Sequence, residues 1–160
     1  LALDSDMAEL CRRTFTGKNY EVSTMEIDRD TDSYMIFTVN EILSKYKDAQ
    51  LFLIIGSDMF LSFHKWYKYR EIMKKCTLCV MSREDEDTVK ALRSYAFSTL
   101  HIYMPSNEAN GIIISPSSPL EISSTEIRQK ISAGEDVSDV LTKEAYEFIK
   151  ERGMYGYAKK

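Results

Sequence analysis

The sequence predicts an α/β protein with a mostly parallel sheet, and three observations carry that reading. First, Leu51–Ile55 is an unbroken run of large apolar side chains that stops at Gly56, and such a run reads as a central strand covered on both faces. Second, two further short apolar runs, at Cys76–Met81 and Gly111–Ser115, are rich in β-branched residues or bounded by polar ones. Third, helix-period segments stand between the strands, as α/β layering requires. At 160 residues the chain is expected to form one domain, residues 1–160.

Taken in order, Asp4, Ser5 and Asp6 offer N-cap oxygens before a short helix over Met7–Phe15 that ends near Gly17. Tyr20–Ile27 alternates enough to be an edge strand, and Asp28–Asp32 is a charged turn. From Ser33 the apolar positions Ile36, Val39, Leu43 and Tyr46 recur at helical spacing, which predicts an amphipathic helix. Gly56 is expected to turn the backbone sharply after the central strand. Asp58 follows it, then a helix-compatible stretch that reaches Trp66, the only tryptophan. Ligands in open α/β sheets bind beyond the carboxyl ends of strands, so Gly56–Tyr67 is the first place to look for a site.

A second helix is expected over Tyr69–Lys75, then the strand Cys76–Met81. The acidic run Glu84–Asp87 reads as a solvated loop or a first helical turn, where acids suit the positive end of a helix dipole. Val89–Ser98 reads as a helix, His101–Met104 as a short strand stopped by Pro105, and Ser106–Asn110 as a loop. The strand Gly111–Ser115 and a rigid connector, Pro116–Pro119, follow. A last helix spans Lys143–Arg152 with Gly153 as its C-cap, and the tail packs through Met154 and Tyr155.

Composition removes several function classes. A net charge of −4 argues against a dedicated duplex-binding surface but permits a local phosphate site. No apolar run approaches bilayer-spanning length and no signal-peptide pattern opens the chain, so a cytoplasmic location is expected. Cys76 and Cys79 are three apart on a strand and so point to opposite faces. With Cys11 they read as reduced thiols, not zinc ligands, and no resident metal site is expected.

The second chemical stretch is Glu121–Arg128. Ser123 with Glu126 three positions on makes a capping box, Ile127 and Ile131 give the helix its buried stripe, and Gly134 closes it. Three consecutive hydroxyls, Ser123, Ser124 and Thr125, stand one turn ahead of Arg128. Hydroxyls, free backbone N–H groups, the dipole and a guanidinium would converge on one point, an anion site suited to phosphate.

Together, Leu53–Asp58 with Trp66 and Tyr67 eight and nine positions after the aspartate, Ile122–Arg128, and the ending Tyr146–Tyr155 resemble bacterial nicotinate-nucleotide adenylyltransferase. The resemblance extends over Glu21–Ile27 and Ser33-Tyr34 and so covers nearly the whole chain. It implies a Rossmann-like nucleotidyltransferase fold and transfer of AMP from ATP to nicotinate mononucleotide, with magnesium accompanying the triphosphate. By that match Trp66 stacks on the pyridine ring with the Tyr67 backbone N–H near its carboxylate, and Met35 lies at the same subsite. Gly56, Ser57, Asp58 and Arg83 contact nucleotide, while Ser123, Ser124, Thr125 and Arg128 hold the ATP phosphates.

Three departures qualify the match. The family's Gly-Gly-Thr-Phe-Asp-Pro loop and His-x-Gly-His pair are absent from the sequence, and His64 and His101 are not that pair. No catalytic residue is therefore assigned, and the chain is expected to be N-terminally incomplete, missing its first strands. Met35 stands where the family usually has threonine, and Ser82, Arg83 and Glu84 stand where it often has a basic pair and a proline. The alternative reading is a non-catalytic nucleotide-binding module or a catalytically incompetent fragment of this fold. The sequence allows a homo-oligomer without specifying one.

Overall fold

Hydrogen-bonded strand pairing falls entirely between residues 51 and 117 among those described, in a sheet of four strands ordered β1-β2-β4-β3. The computed structural model describes residues 3–83, 85–117 and 122–157. The chain folds as two compact units, one of Leu1–Arg29 with Glu121–Lys160 and the other of Asp30–Leu120. No described helix is long and apolar enough to cross a membrane.

The second unit holds the sheet. Strands β1 (Leu51–Gly56), β2 (Cys76–Arg83) and β4 (Ile112–Ser117) run parallel, and the two-residue β3 (Glu108–Ala109) pairs antiparallel with β4. Parallel neighbours need crossover helices: α3 (Ser57–Leu61) and α4 (Tyr69–Lys75) lie between β1 and β2, α5 (Glu86–Ser98) lies between β2 and β4, and α2 (Met35–Lys45) precedes β1. Its core collects Phe60, Phe63, Ile72, Leu78, Val80, Leu92, Ile112 and Ile114, all at most 2% exposed.

The first unit is helical where described: α1 (Asp4–Thr14), α6 (Ser124–Ala133) and α7 (Lys143–Arg152). They enclose Ile131, Val137, Phe148, Ile149 and Met154. Arg13 of α1 lies over the Phe148 ring at 4.4 Å and reaches Glu151 at 3.4 Å, so a long cationic side chain covers apolar surface while its head stays paired.

Several expectations hold as stated. The helices over Tyr69–Lys75 and Lys143–Arg152 form with those bounds, and Gly153 caps the latter in the left-handed region at φ 59°. Asp85 caps α5 by accepting the Thr88 N–H at 2.7 Å, with Glu86 and Asp87 in its first turn. Cys76 is buried while Cys79 is half-buried, in step with the alternation along β2, and the three thiols are unpaired.

Others are corrected. The strand expected over Tyr20–Ile27 does not form: none of these residues joins a strand ladder, and turn chemistry takes over, with Asp28 N–H donating to Thr24 carbonyl and Thr24 Oγ1 to Asp28 Oδ2. His101–Met104 is not a strand either, because His101 adopts φ 60° and Ile102 donates back to the Ala96 carbonyl at the end of α5. The first helix starts three residues early; Asp4–Asp6 lie inside it, and Leu3 is the N-cap without a side-chain bond. Within Ser106–Asn110, Glu108 and Ala109 pair with β4 through the two-residue turn Asn110-Gly111, both at positive φ as a primed hairpin turn requires. Pro116 and Ser117 belong to β4, where the connector was expected; Pro119 lies outside the described residues.

The central strand expected at Leu51–Ile55 has one partner among the described residues: β1 pairs only with β2, with Phe52 52% and Ile54 70% exposed while Leu51, Leu53 and Ile55 turn toward the core.

Candidate functional site

In the second unit Gly56, Ser57, Asp58 and Arg83 fall at or just beyond the carboxyl ends of the parallel strands β1 and β2. Gly56 ends β1 and Arg83 ends β2, so both fall on the edge where α/β sheets bind ligands. Gly56 does not turn the chain by unusual dihedrals, since its φ and ψ, −74° and 162°, are ordinary extended backbone. Its small size matters for another reason. A Cβ there would stand 2.9 Å from Asp58 Oδ1, so any larger residue displaces that carboxylate. Ser57 opens α3, and Asp58 is exposed in its first turn.

After α3 a tight 3-10 turn, Phe63–Lys65, delivers Trp66. Phe63 is fully buried and its ring meets the Trp66 indole at 5.1 Å between centroids, tilted 51°. The indole is therefore braced from the core side and half-exposed. Trp66 donates its N–H to the Phe63 carbonyl and its own carbonyl accepts from Tyr69, which fixes the backbone on both sides of Tyr67. Tyr67 is exposed and packs on Tyr34 at 4.7 Å and on Phe37 at 6.1 Å. That three-ring cluster was not expected from sequence; the spacing of Tyr34 and Phe37 along α2 gave no sign of Tyr67. Lys68, at φ 55°, approaches the Tyr67 ring at 5.6 Å and pairs with Glu71 at 3.4 Å. Met35 is the first residue of α2, where helix geometry leaves the backbone N–H without an intrahelical acceptor.

In the first unit the predicted capping box forms. The Glu126 N–H donates to Ser123 Oγ at 3.1 Å and the Ser123 N–H to Glu126 Oε2 at 2.7 Å. Those bonds from Ser123 hold the Glu126 carboxyl below its ordinary 4.5. The box changes the expected inventory of donors. Ser123 Oγ and the Ser123 and Glu126 amides are already engaged, and a carboxylate already occupies the positive end of α6. What remains for an anion is the Ser124 and Thr125 amides, their hydroxyls and the Ser123 O–H proton. Arg128 is exposed and donates to Thr125 Oγ1 at 3.3 Å, the i,i+3 neighbour, not to Ser124. Among the described residues it forms no ion pair.

A cleft of about 880 Å³ in this unit is lined by Arg128 together with Leu3, Asp6, Met7 and Arg152–Gly156. Its second guanidinium, Arg152, is held by Asp6 at 2.8 Å, which leaves Arg128 as the cation there without a carboxylate partner. Tyr155, at φ 55°, donates to Met7 Sδ. Asp6, Met7 and Arg152 escaped the sequence reading because the contacts that bring them together span 146 and 148 residues.

These features define a class, an α/β nucleotide-binding protein of the nucleotidyltransferase kind, and comparison with known proteins agrees. Residues 5–130 match the cytidylyltransferase-like family. A protein of Legionella pneumophila (strain Corby), described as a probable nicotinate-nucleotide adenylyltransferase, is 31% identical over 144 residues, covering 86% of this chain and 68% of that one. One of Methylacidiphilum infernorum with the same description is 30% identical over 151 residues, covering 94% and 65%. The chain thus spans about two thirds of the length of these relatives. The solved structure of Plasmodium falciparum nicotinic acid mononucleotide adenylyltransferase complexed with APC shares the fold, with a TM-score of 0.52 at 15% identity over 82% of this chain and 61% of that one. The chain belongs to the nicotinate-nucleotide adenylyltransferase family.

Proposed function

We propose that the protein transfers AMP from ATP to nicotinate mononucleotide, forming deamido-NAD and pyrophosphate. The observation that carries the reading is the half-exposed Trp66 indole, braced by Phe63 at the end of the turn after β1, in a chain of this family. A flat heteroaromatic ring needs such a face, and its carboxylate needs donors beside it. Here the Tyr67 backbone N–H and the amide of Met35 at the start of α2 take that role. Asp58, with Gly56 leaving room for its carboxylate, Ser57 and Arg83 contact nucleotide. Ser123, Ser124, Thr125 and Arg128 hold the ATP phosphates, with the Ser124 and Thr125 amides as the principal backbone donors.

In the reaction an oxygen of the nicotinate mononucleotide phosphate attacks the α-phosphorus of ATP, the α–β bridging P–O bond breaks, and pyrophosphate leaves with the electron pair. No covalent enzyme intermediate is needed, so alignment and charge neutralisation carry the rate. Magnesium enters with the substrate on the ATP phosphates; among the described residues no group of three or more His, Cys, Asp or Glu side chains gathers to hold it. A cytoplasmic setting belongs to this reading, because its substrates are nucleotides.

The test is competition between nicotinate and nicotinamide mononucleotides, with Trp66 emission reporting binding and pyrophosphate release reporting turnover. Preference for the acid with pyrophosphate release is expected. Preference for the amide overturns the substrate, and binding without pyrophosphate leaves a nucleotide-binding module.

A further inference from the structure

The Tyr95 hydroxyl on α5 is engaged twice by a single residue 31 positions away. It accepts the His64 backbone N–H at 3.0 Å and lies 2.9 Å from His64 Nδ1. A phenol oxygen that accepts from an amide still has its own proton to give, and Nδ1 is the acceptor within reach. The two bonds are satisfied together by an imidazole that carries its proton on Nε2. Burial pushes the Tyr95 phenol up, which keeps that proton in place.

His64 is the middle residue of the 3-10 turn whose C-cap is Trp66. The turn therefore has two anchors. Phe63 sinks into the core and sets the depth of the turn, but an apolar contact is nondirectional and does not fix rotation. The paired bonds to Tyr95 are directional and do. Tyr95 is itself steadied by Phe60, whose ring it meets edge-on at 5.2 Å, and by the buried Leu92 and Ala96 of its own helix.

We propose that Tyr95, acting through His64, is a positioning residue that sets the plane of the Trp66 indole for stacking on a flat heteroaromatic ring. The inference rests on the reading of Trp66 as the ring platform, and Tyr95 itself touches no substrate.

The experiment uses the full chain with Tyr95→Phe, His64→Leu and His64→Asn. All three keep the backbone N–H of residue 64, and the last also places an amide oxygen where Nδ1 accepts. Trp66 is the sole tryptophan, so its emission and its quenching by acrylamide report the turn without ligand. Tyr95→Phe and His64→Leu should raise the quenching constant about twofold and the Kd for nicotinate mononucleotide about tenfold, the scale of one or two lost hydrogen bonds. His64→Asn should stay close to the parent in both. ATP affinity should not move in any of the three, since its phosphates are assigned to α6.

Equal weakening of ATP and nicotinate mononucleotide would reduce Tyr95 to general stability and overturn the proposal. So would unchanged quenching in Tyr95→Phe, or His64→Asn behaving like His64→Leu. If the parent fails to bind nicotinate mononucleotide, the functional reading falls, whereas the ligand-free quenching order still decides whether Tyr95 holds the turn.

Discussion

Among the described residues, the side-chain hydrogen bonds that order the start of α6 lie within six residues, from the Ser123 cap through the Glu126 carboxylate to the Arg128–Thr125 bond. The Trp66 turn is ordered instead by Phe63 beneath it, Tyr69 beside it and Tyr95 of α5, 31 positions after the His64 it bonds. The first region carries its polar bonds on an exposed face; the second is an outcrop of the core. A locally wired site can lose a ligand contact without disturbing the fold. A site wired through the core ties ligand recognition to global stability.

That contrast predicts a graded set of effects. Phe63→Ala removes a fully buried ring and should cost about 3–5 kcal/mol in urea unfolding, with Trp66 emission losing its native character. A loss below about 1 kcal/mol would mean that the turn does not depend on the core. Arg128→Ala should leave stability untouched and weaken ATP binding by about 1.5–3 kcal/mol, the usual scale for a hydrogen bond to a charged group. Calorimetry with each substrate separately checks it, and equal losses for ATP and nicotinate mononucleotide would contradict the assignment.

Trp66→Ala should raise the KM for the nicotinate substrate by about threefold to tenfold, corresponding to about 0.5–1.5 kcal/mol of aromatic contact. An unchanged KM places the ring elsewhere. The smallest effect is acid titration at α6. The folded Glu126 carboxyl lies below its ordinary 4.5, so its contribution is fully present above that value and is lost as the pH falls through the lower folded one. An NMR titration midpoint for Glu126 at or above 4.5 would break the capping box as described.

The same contrast accounts for what could be read from the sequence. The Ser123–Glu126 box, the Gly153 cap of α7 and the acidic opening of α5 are short-range devices whose partners sit within a turn or so, and they read directly. Tyr20–Ile27 and His101–Met104 misled because alternation describes a strand's faces and is silent on whether a partner exists to complete its ladder. Asn110-Gly111 carries the signature of a primed hairpin turn, and the expected boundary between loop and strand falls between those two residues. At the candidate site, Trp66 and Arg128 stood out by type and spacing. The Tyr95–His64 pair and the Tyr34–Phe37–Tyr67 rings, joined only by folding, did not.

The alternation along β2 has a kinetic consequence as well. Cys76 is 7% exposed, its Sγ donates to the Ile72 carbonyl at 3.1 Å, and burial pushes its thiol up, away from the reactive thiolate. Cys11 and Cys79 are only half-buried. An alkylating reagent should modify those two first and reach Cys76 only when β2 parts from α4. The rate of the slow alkylation then measures how often the junction between α4 and β2 opens, a built-in clock for local unfolding.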